Sequence, residues 1–410
     1  MSDRFQAVPI ADRLYWVGAI DWALRNFHGY LTSRGTSYNA YLWMGEKIVL
    51  FDTVKARFQN EMLSRIRSVV EPERIDYIVS NHAEMDHSGC LPEMIRLVRP
   101  EQTFASAKGV EALQDHFGSG AGWQGAQVTA VQDGQTLRLG DTDFRFFETK
   151  LLHWPDSMVT YLPAQHILIS QDMFGMHLAS GERFDDQLPW DLLEFETAKY
   201  YANILLPFSG IVEQAFKKFE QNQVQPDLIA TDHGPVWRTH VGRVLEHYRR
   251  WARQERRVKA VIMYDTMWES TETMAYAIAE GLITSGVHTK VMPLSGSHRS
   301  DIATEVLDAG AFLVGAPTIN NQMFPSLADA LTYLQGLRPR GLLGAVFGSY
   351  GWSGEGVKRV LAYFNEMKIE PIGEPVQSRY VPGDDVLAQC VALGRQVAER
   401  VREKFGGAGD

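Results

Sequence analysis

The stretch NHAEMDHSG, residues 81–89, decides how this chain is read. The positions from His82 to His87 hold two histidines, a glutamate and an aspartate, just after the apolar run of residues 75–79. A strand that ends in a polar loop holds its side chains at nearly fixed positions, and SGCLPEMIRLV (88–98) then reads as the start of a helix. In extended backbone His82, Glu84 and Asp86 share one side, because side chains alternate across a strand. His87 then faces elsewhere, towards a second metal. Four ligand-type residues do not complete two metal sites, so the remainder is expected from other strand ends.

Three such ends offer candidates. His153 lies in LLHWPDS after the strand DFRFFETK, Asp172 ends the apolar run HILISQD, and His233 lies in LIATDHGP. Asp172 suits a bridge, since one carboxylate spans two metals about 3.5–4 Å apart. His28 in NFHGYL and His177 in FGMHLAS are candidates to line a pocket or donate protons, and Tyr201, beside Tyr200, is a candidate pocket-wall residue. The seven ligand candidates, in this order, resemble the metallo-β-lactamase fold, whose first motif is commonly H-x-H-x-D-H. Glu84 stands at the third position in place of histidine. Nitrogen-rich sites suit zinc, whereas a mixed imidazole and carboxylate set suits iron.

The whole chain sets limits on this reading. Its 410 residues suit two domains rather than one core, and 45% hydrophobic with 22% charged residues is an ordinary globular balance. The formal charge of −10 disfavours nucleic acid, which needs dense lysine and arginine. No run approaches the roughly 18–20 apolar residues of a membrane span, and the opening shows no secretory pattern. Cys90 and Cys390 form no C-x-x-C pair, so neither a disulfide framework nor a rubredoxin-type iron site is expected. A cytoplasmic protein is the default. EKIVLFDTV and RIDYIVSNH read as buried strands, and MVTYLPAQHILISQD as a hairpin turning at Pro163. The basic stretch HYRRWARQERR (247–257) reads as the solvated face of a linker helix, with a docking patch for an acidic redox protein as the sharper alternative.

After it the pattern changes. Three segments beginning at Val258, Gly310 and Gly341 each run strand, loop, helix. Such units in series indicate a doubly wound parallel sheet. The expected division is residues 1–254 and 255–410. YDTMWESTETM places Thr266, Met267, Trp268, Glu269, Ser270 and Thr271 between a strand and a helix, where backbone N–H groups and the helix dipole favour phosphate. The loop resembles the flavodoxin phosphate loop T/S-x-T-G-x-T, with Trp268 in place of threonine and Glu269 where glycine is expected. GAPTINN offers Pro317, Thr318, Ile319 and Asn320. GSYGWSGE offers Ser349, Tyr350, Gly351, Trp352, Ser353 and Gly354. Gly351 would let the backbone approach a flavin ring, and Tyr350 or Trp352 would cover a ring face. Three loops at one sheet edge form the crevice of this architecture. With no G-x-G-x-x-G fingerprint, FMN is expected rather than a Rossmann-bound nicotinamide.

Together HAEMDHSG, LHWPDSM, YDTMWEST and GSYGWSGE resemble the flavodiiron proteins, over nearly the whole chain. The resemblance implies an α/β chain: an N-terminal metallo-β-lactamase-like αββα sandwich followed by a flavodoxin-like doubly wound parallel sheet. It implies two iron ions, one on His82, Glu84 and His153, the other on Asp86, His87 and His233, with Asp172 bridging. It implies reduction of dioxygen to water, nitric oxide to nitrous oxide, or both. Electrons would pass through FMN from a separate donor, a rubredoxin-like protein first and a reduced deazaflavin second. It also implies a head-to-tail homodimer, or a dimer of such dimers, with the flavin of one subunit against the irons of the other. Two other readings compete: a zinc hydrolase carrying a flavodoxin-like redox module, and a catalytically silent electron carrier or redox sensor that uses FMN alone.

Overall fold

The structure, a computed structural model, describes residues 5–120, 123 and 126–407. The chain forms two compact units. One holds Met1–His28, Thr32–Tyr200 and Gly210–Arg249; the other holds Gly29–Leu31, Tyr201–Ser209 and Arg250–Asp410. Two short segments that lie before the expected boundary in sequence therefore belong with the second unit. They are tied there by hydrogen bonds: the Leu31 amide donates to Ser300 Oγ at 3.2 Å, and the Tyr333 hydroxyl donates to Asn203 Oδ1 at 2.7 Å.

The first unit is built on two sheets. In one, the strands run in the order Val8–Ala11, Leu14–Trp16, Tyr41–Met44, Ile48–Phe51, Tyr77–Ser80, Gln102–Ser106 and Val128–Val131. The first four are antiparallel, and from Ile48–Phe51 onward the neighbours are parallel. The other sheet runs Thr136–Leu139, Thr142–Glu148, Met158–Leu162, Ile167–Gln171 and Leu228–Thr231, with only the last pair parallel. Alternation sorts the side chains. Val49 and Phe51 join Phe144, Phe146 and Ile169 between the sheets. Leu50 and Ile78, on the opposite face, pack with Met62, Ile66, Leu91 and Met94 of the helices Gln59–Arg67 and Leu91–Val98. Each such buried side chain contributes roughly 1.5–3 kcal/mol. The helix Ser209–Gln221 covers the second sheet, with the Phe219 ring 6.3 Å from that of Phe147. The result is the αββα sandwich. Its hairpin turns at Pro163 as the sequence indicates.

Strand order delivers the ligand candidates to common edges. Tyr77–Ser80 lies parallel to Ile48–Phe51, so both chains emerge together. Asp52 then accepts the Asn81 amide at 2.6 Å and its side-chain Nδ2 at 2.7 Å. Ile167–Gln171 lies parallel to Leu228–Thr231, which brings out Asp172 and His233 side by side.

The second unit is a parallel sheet in the order His288–Pro293, Arg257–Tyr264, Ala309–Gly315, Leu343–Tyr350 and Glu370–Pro371, with Val376–Arg379 also paired to Leu343–Tyr350. The helices Ser270–Ile283 and Asp384–Phe405 cover one face through Met274, Ile278, Leu393 and Val397. They cross at a pair of glycines. A Cβ on Gly281 would lie 2.2 Å from the Val391 carbonyl oxygen, and one on Gly394 would lie 2.2 Å from that of Ile278. Tyr264, Gly315 and Phe347 are register partners, so the three loops that follow leave one sheet edge.

Candidate metal centre and ligand crevice

The backbone leaves its strand at Ser80 and is helical over Met85–Ser88, earlier than the sequence suggests. The extended alternation expected for His82, Glu84 and Asp86 therefore does not occur. Asp86 sits on the helix beside His87 and faces with it. Two clusters result, His82 with Glu84, His153 and Asp172, and Asp86 with His87 and His233; all are buried except His153, which is partly so.

Donor atoms converge within each cluster. His82 Nε2 lies 3.3 Å from Glu84 Oε2 and 3.2 Å from Asp172 Oδ2. His153 Nε2 lies 3.1 Å from Glu84 Oε2 and 3.3 Å from Asp172 Oδ2. In the other cluster His87 Nε2 is 3.4 Å from Asp86 Oδ1, and His233 Nε2 is 3.5 Å from Asp86 Oδ2. The second oxygen of Asp172, Oδ1, lies 3.5 Å from His87 Nε2 and 3.4 Å from His233 Nε2. Asp172 thus turns one oxygen to each cluster. Ligand bonds of about 2.1 Å give polyhedron edges of about 3.0–3.4 Å, close to these separations.

Several polar atoms here lack the partners that buried groups normally have. Both oxygens of Asp86 and both of Asp172 are buried without a hydrogen-bond partner among the described residues. His87 Nε2 and His233 Nε2 face each other at 3.2 Å. Two cations would engage all of these lone pairs. The charges agree. Burial opposes a proton on His82, yet Asp156, Asp172 and Glu84 raise it well above the usual imidazole range. Burial likewise opposes His87 and His153, but Asp86 and Asp232 lift His87 to about 10, and Asp172 and Glu84 lift His153 to about 9. Without metal, protons occupy the place of cations.

Further residues frame the pair. Asp156 accepts from His82 Nδ1 at 3.0 Å, and the Ser37 carbonyl accepts from His233 Nδ1 at 2.7 Å. Asp232 and Asp52 are buried behind His87; burial and then Asp52 push Asp232 well up, and burial pushes Asp52 to about 6 against the Asn81 bonds. Asp52, Asp156 and Asp232 were not candidates in the sequence, although each adjoins a strand end or a ligand. His28 Nε2 lies 3.2 Å from Glu84 Oε1 with its side chain 73% exposed. His177 is buried against His233, ring centroids 4.7 Å apart, with Nδ1 2.9 Å from Thr36 Oγ1. Tyr201 is not part of either cluster. It belongs to the other unit, where its hydroxyl meets Ser209 Oγ at 3.1 Å. Its neighbour Tyr200 is the phenol beside the metal centre: its ring lies 5.1 Å from His177, and burial and Asp172 push its pKa well up. Consecutive helical positions face different ways, and the sequence does not say which. A cavity of about 710 Å³, lined by Phe27, His28, Lys55, Glu84, Asp86 and Trp154 among others, opens onto the centre.

At the edge of the second unit the three loops are cross-tied. Thr271 Oγ1 lies 2.9 Å from Ser349 Oγ, Thr318 Oγ1 accepts the Gly356 amide at 3.1 Å, and Ser353 Oγ donates to Asn321 Oδ1 at 2.9 Å. Thr266 Oγ1 is buried with no hydrogen-bond partner among the described residues, just ahead of the helix Ser270–Ile283, a donor that a phosphate oxygen would satisfy. Glu269 has φ 62°, so the position does adopt the left-handed geometry that glycine favours in the related loop. Asn320 and Asn321, at φ 51° and 57°, make the two-residue turn between Thr318–Ile319 and Gln322–Met323. A fourth loop joins these. The Tyr380 amide donates to the Tyr350 carbonyl at 2.8 Å, and Arg379 Nε to that of Gly351 at 3.0 Å. A Cβ on Gly351 would come 3.1 Å from the Tyr380 ring, so the missing side chain makes room for that tyrosine. Met267, Trp268, Trp352 and Val381 are exposed around this edge, Trp268 by 87% and Trp352 by 84%.

Comparison with known proteins bears on both halves. The family model described as ODP family beta lactamase matches residues 36–234, and that of flavodoxin matches residues 262–392. The chain is 41% identical over 401 residues to the nitric oxide reductase of Moorella thermoacetica, covering 97% of this chain and 100% of the relative. It is 41% identical over 403 residues to the rubredoxin-oxygen oxidoreductase of Megalodesulfovibrio gigas, covering 98% and 99%. Among solved structures, the rubredoxin oxygen:oxidoreductase from Desulfovibrio gigas superposes with TM-score 0.95 over 98% of this chain and 100% of that one. The flavodiiron protein from Giardia intestinalis, 31% identical, does so with TM-score 0.93 over 99% of each. The chain belongs to the flavodiiron protein family. A flavodiiron protein joins a metal pair and a flavin in one chain, and the residues here fit both. Three carboxylates among seven donors suit iron, and the parallel-sheet edge with its orphaned threonine hydroxyl suits the phosphate of FMN.

Proposed function

We propose that this protein reduces dioxygen to water, nitric oxide to nitrous oxide, or both, at an iron pair supplied with electrons through FMN. The observation that carries the reading is Asp172, whose two oxygens each face a separate ligand cluster. His82, Glu84 and His153 would hold one iron, Asp86, His87 and His233 the other, and Asp172 would bridge. In this reading residues 1–254, apart from the segments 29–31 and 201–209 that pack with the second unit, form the diiron domain, and residues 255–410 the FMN domain. The iron pair supplies binding and stepwise reduction of a small diatomic gas, and FMN accepts electrons in pairs and releases them singly.

The chain's own part is placement and protons. Thr266, Ser270 and Thr271 would hold the flavin phosphate at the helix start, and the loops at 317–320 and 349–354 would face its ring. His28 lines the cavity over the centre: with its Nε2 on Glu84, it can bring protons to the site, which both reactions consume. His177, buried and with its pKa pushed well down by burial and by His233, stays neutral and packs the wall. A zinc hydrolase is the weaker alternative, because Glu84 removes a nitrogen from the motif and the flavin crevice would have no task.

The donor we infer is a rubredoxin-like protein, supported by the rubredoxin-oxygen oxidoreductase at 41% identity; a reduced deazaflavin is the alternative. A homodimer, alone or paired into a tetramer, is supported by the exposed Met267, Trp268, Trp352 and Val381 at the flavin edge and by the open cavity over the metals, surfaces that a second copy would cover. No helix among the described residues is long and apolar enough to cross a membrane. Cys90 and Cys390 are free and buried, which fits the reducing cytoplasm. Two experiments test this reading. Iron and flavin analysis of the isolated protein is expected to give two irons and one FMN per chain; stoichiometric zinc would contradict it. Steady-state rates with each gas added to anaerobically reduced protein, each donor in turn, then identify substrate and donor.

A further inference from the structure

Behind the ligand His82 lies a buried carboxylate to which the reaction as proposed gives no task. Asp156 Oδ2 accepts both His82 Nδ1–H at 3.0 Å and the Ala83 amide at 2.6 Å. With His82 Nε2 turned to the metal position, the ring proton sits on Nδ1. Asp156 Oδ1 is buried without a hydrogen-bond partner among the described residues. The residue is fixed from its backbone, where its carbonyl accepts Ser106 Oγ at 2.7 Å.

The other cluster is backed differently. His233 Nδ1 donates to a neutral acceptor, the Ser37 carbonyl, at 2.7 Å. His87 Nδ1 is 3.5 Å from Asp232 Oδ2, too far for a hydrogen bond, and has no other partner among the described residues. A carboxylate that accepts an imidazole N–H leaves more electron density on the opposite nitrogen than a carbonyl does. Partners of this kind change metal affinity or activity by about 10–100-fold. Among the described residues, only His82 of the four histidine ligands makes such a bond to a carboxylate outside the ligand set.

We propose that Asp156 acts through His82 to make the metal position of His82, Glu84 and His153 the more electron-rich of the two. Iron there holds its ferric state more strongly, and it is the last of the pair to be reduced. Asp156 is a positioning residue: it touches neither metal nor substrate. The inference rests on the iron pair proposed above.

The test is Asp156→Asn. Both hydrogen bonds fall on one oxygen, so the amide oxygen can keep them while its nitrogen replaces the unpartnered Oδ1. The charge goes and the shape stays. Wild type and variant, enriched in a Mössbauer-active iron isotope, are titrated anaerobically with reductant. In the variant one of the two iron signals is expected to change while the other stays, and the last-reduced iron is expected to accept its electron at a higher potential. Against a chelator, one iron is expected to be held about 10–100-fold more weakly. Unchanged spectra and potential at full iron loading would overturn the proposal, leaving Asp156 as a scaffold for the Ala83 amide. Equal weakening of both irons would overturn it too. Ser106→Ala, which loosens the Asp156 backbone but keeps the charge, is expected to leave the potential at the wild-type value; a shift as large as that of Asp156→Asn would also refute the charge argument. If Asp156→Asn does not fold, Asp156→Ser, with a neutral hydroxyl, carries the same comparison. A wild-type protein without an iron pair would instead contradict the proposed function, so the two failures are distinct.

Discussion

Asp172→Asn puts the arrangement under the sharpest stress. The carboxylate faces four imidazoles, His82 and His153 through Oδ2 at 3.2 and 3.3 Å, and His87 and His233 through Oδ1 at 3.5 and 3.4 Å. Asparagine keeps the volume and removes the charge. It also turns an N–H donor towards one cluster, where a metal needs a lone pair. Removing one partner from a buried charge pair costs about 3–5 kcal/mol. At about 1.4 kcal/mol per tenfold, that is roughly two to three and a half orders of magnitude in metal retention. The variant is expected to lose at least one of its irons to a chelator that leaves the wild type intact, and its gas turnover is expected to fall at least about a hundredfold. Flavin content should not change, because the loops proposed to bind FMN belong to the other unit. Metal analysis, gas-electrode rates and the flavin absorption spectrum on one sample make the assay. Two irons retained against the chelator, with turnover within a few-fold of wild type, would refute the bridging geometry.

Glu84→His restores the nitrogen-rich motif and is expected to raise the zinc-to-iron ratio of the isolated protein and lower turnover by orders of magnitude; equal iron content and activity would show that this carboxylate does not select the metal. Metal loading should release protons. In the metal-free protein the surrounding carboxylates push His87 up to about 10 and His153 up to about 9 against burial, and so favour a proton on each at neutral pH; each proton displaced makes affinity fall about tenfold per unit as pH drops below those values. Calorimetry of cobalt binding in buffers of different ionisation heat reads this; binding without proton release would refute it. Gly281→Ala sets a Cβ 2.2 Å from the Val391 carbonyl on the facing helix. Overpacking of about 1–3 kcal/mol exceeds the roughly 1 kcal/mol of helix propensity gained, so flavin release on heating is expected at lower temperature.

Much of this molecule is legible in its sequence because chemistry-bearing residues stand at the ends of apolar runs. His82, His153, Asp172 and His233 are each named by that rule; parallel pairing sets Asp172 beside His233, and all four stand in the two clusters. Asp86 and His87 are marked by the same motif, but extended alternation sets Asp86 with His82 and Glu84; both residues are already helical, and the structure groups Asp86 with His87. The sequence points to Tyr201, but adjacent helical positions diverge, nothing local marks the inward one, and Tyr200 is the residue beside His177. Asp52, Asp156 and Asp232 were missed because their partners lie far along the chain: Asp156 meets His82 across 74 positions. The segments 29–31 and 201–209 belong with the second unit for the same reason. Glu269 shows the reverse case. The loop pattern called for glycine, the chain supplies glutamate, and the backbone takes the left-handed turn regardless.

The most direct test of the central claim compares iron-loaded with zinc-substituted protein, both with full FMN and the same reduced donor. Nitrous oxide formed from nitric oxide under anaerobic conditions is measured by gas chromatography, and dioxygen uptake without peroxide is measured in separate oxygenated samples. Iron-loaded protein is expected to turn over at least one gas, and zinc-substituted protein neither. Equal rates from the two forms would place the chemistry on the flavin and contradict the account.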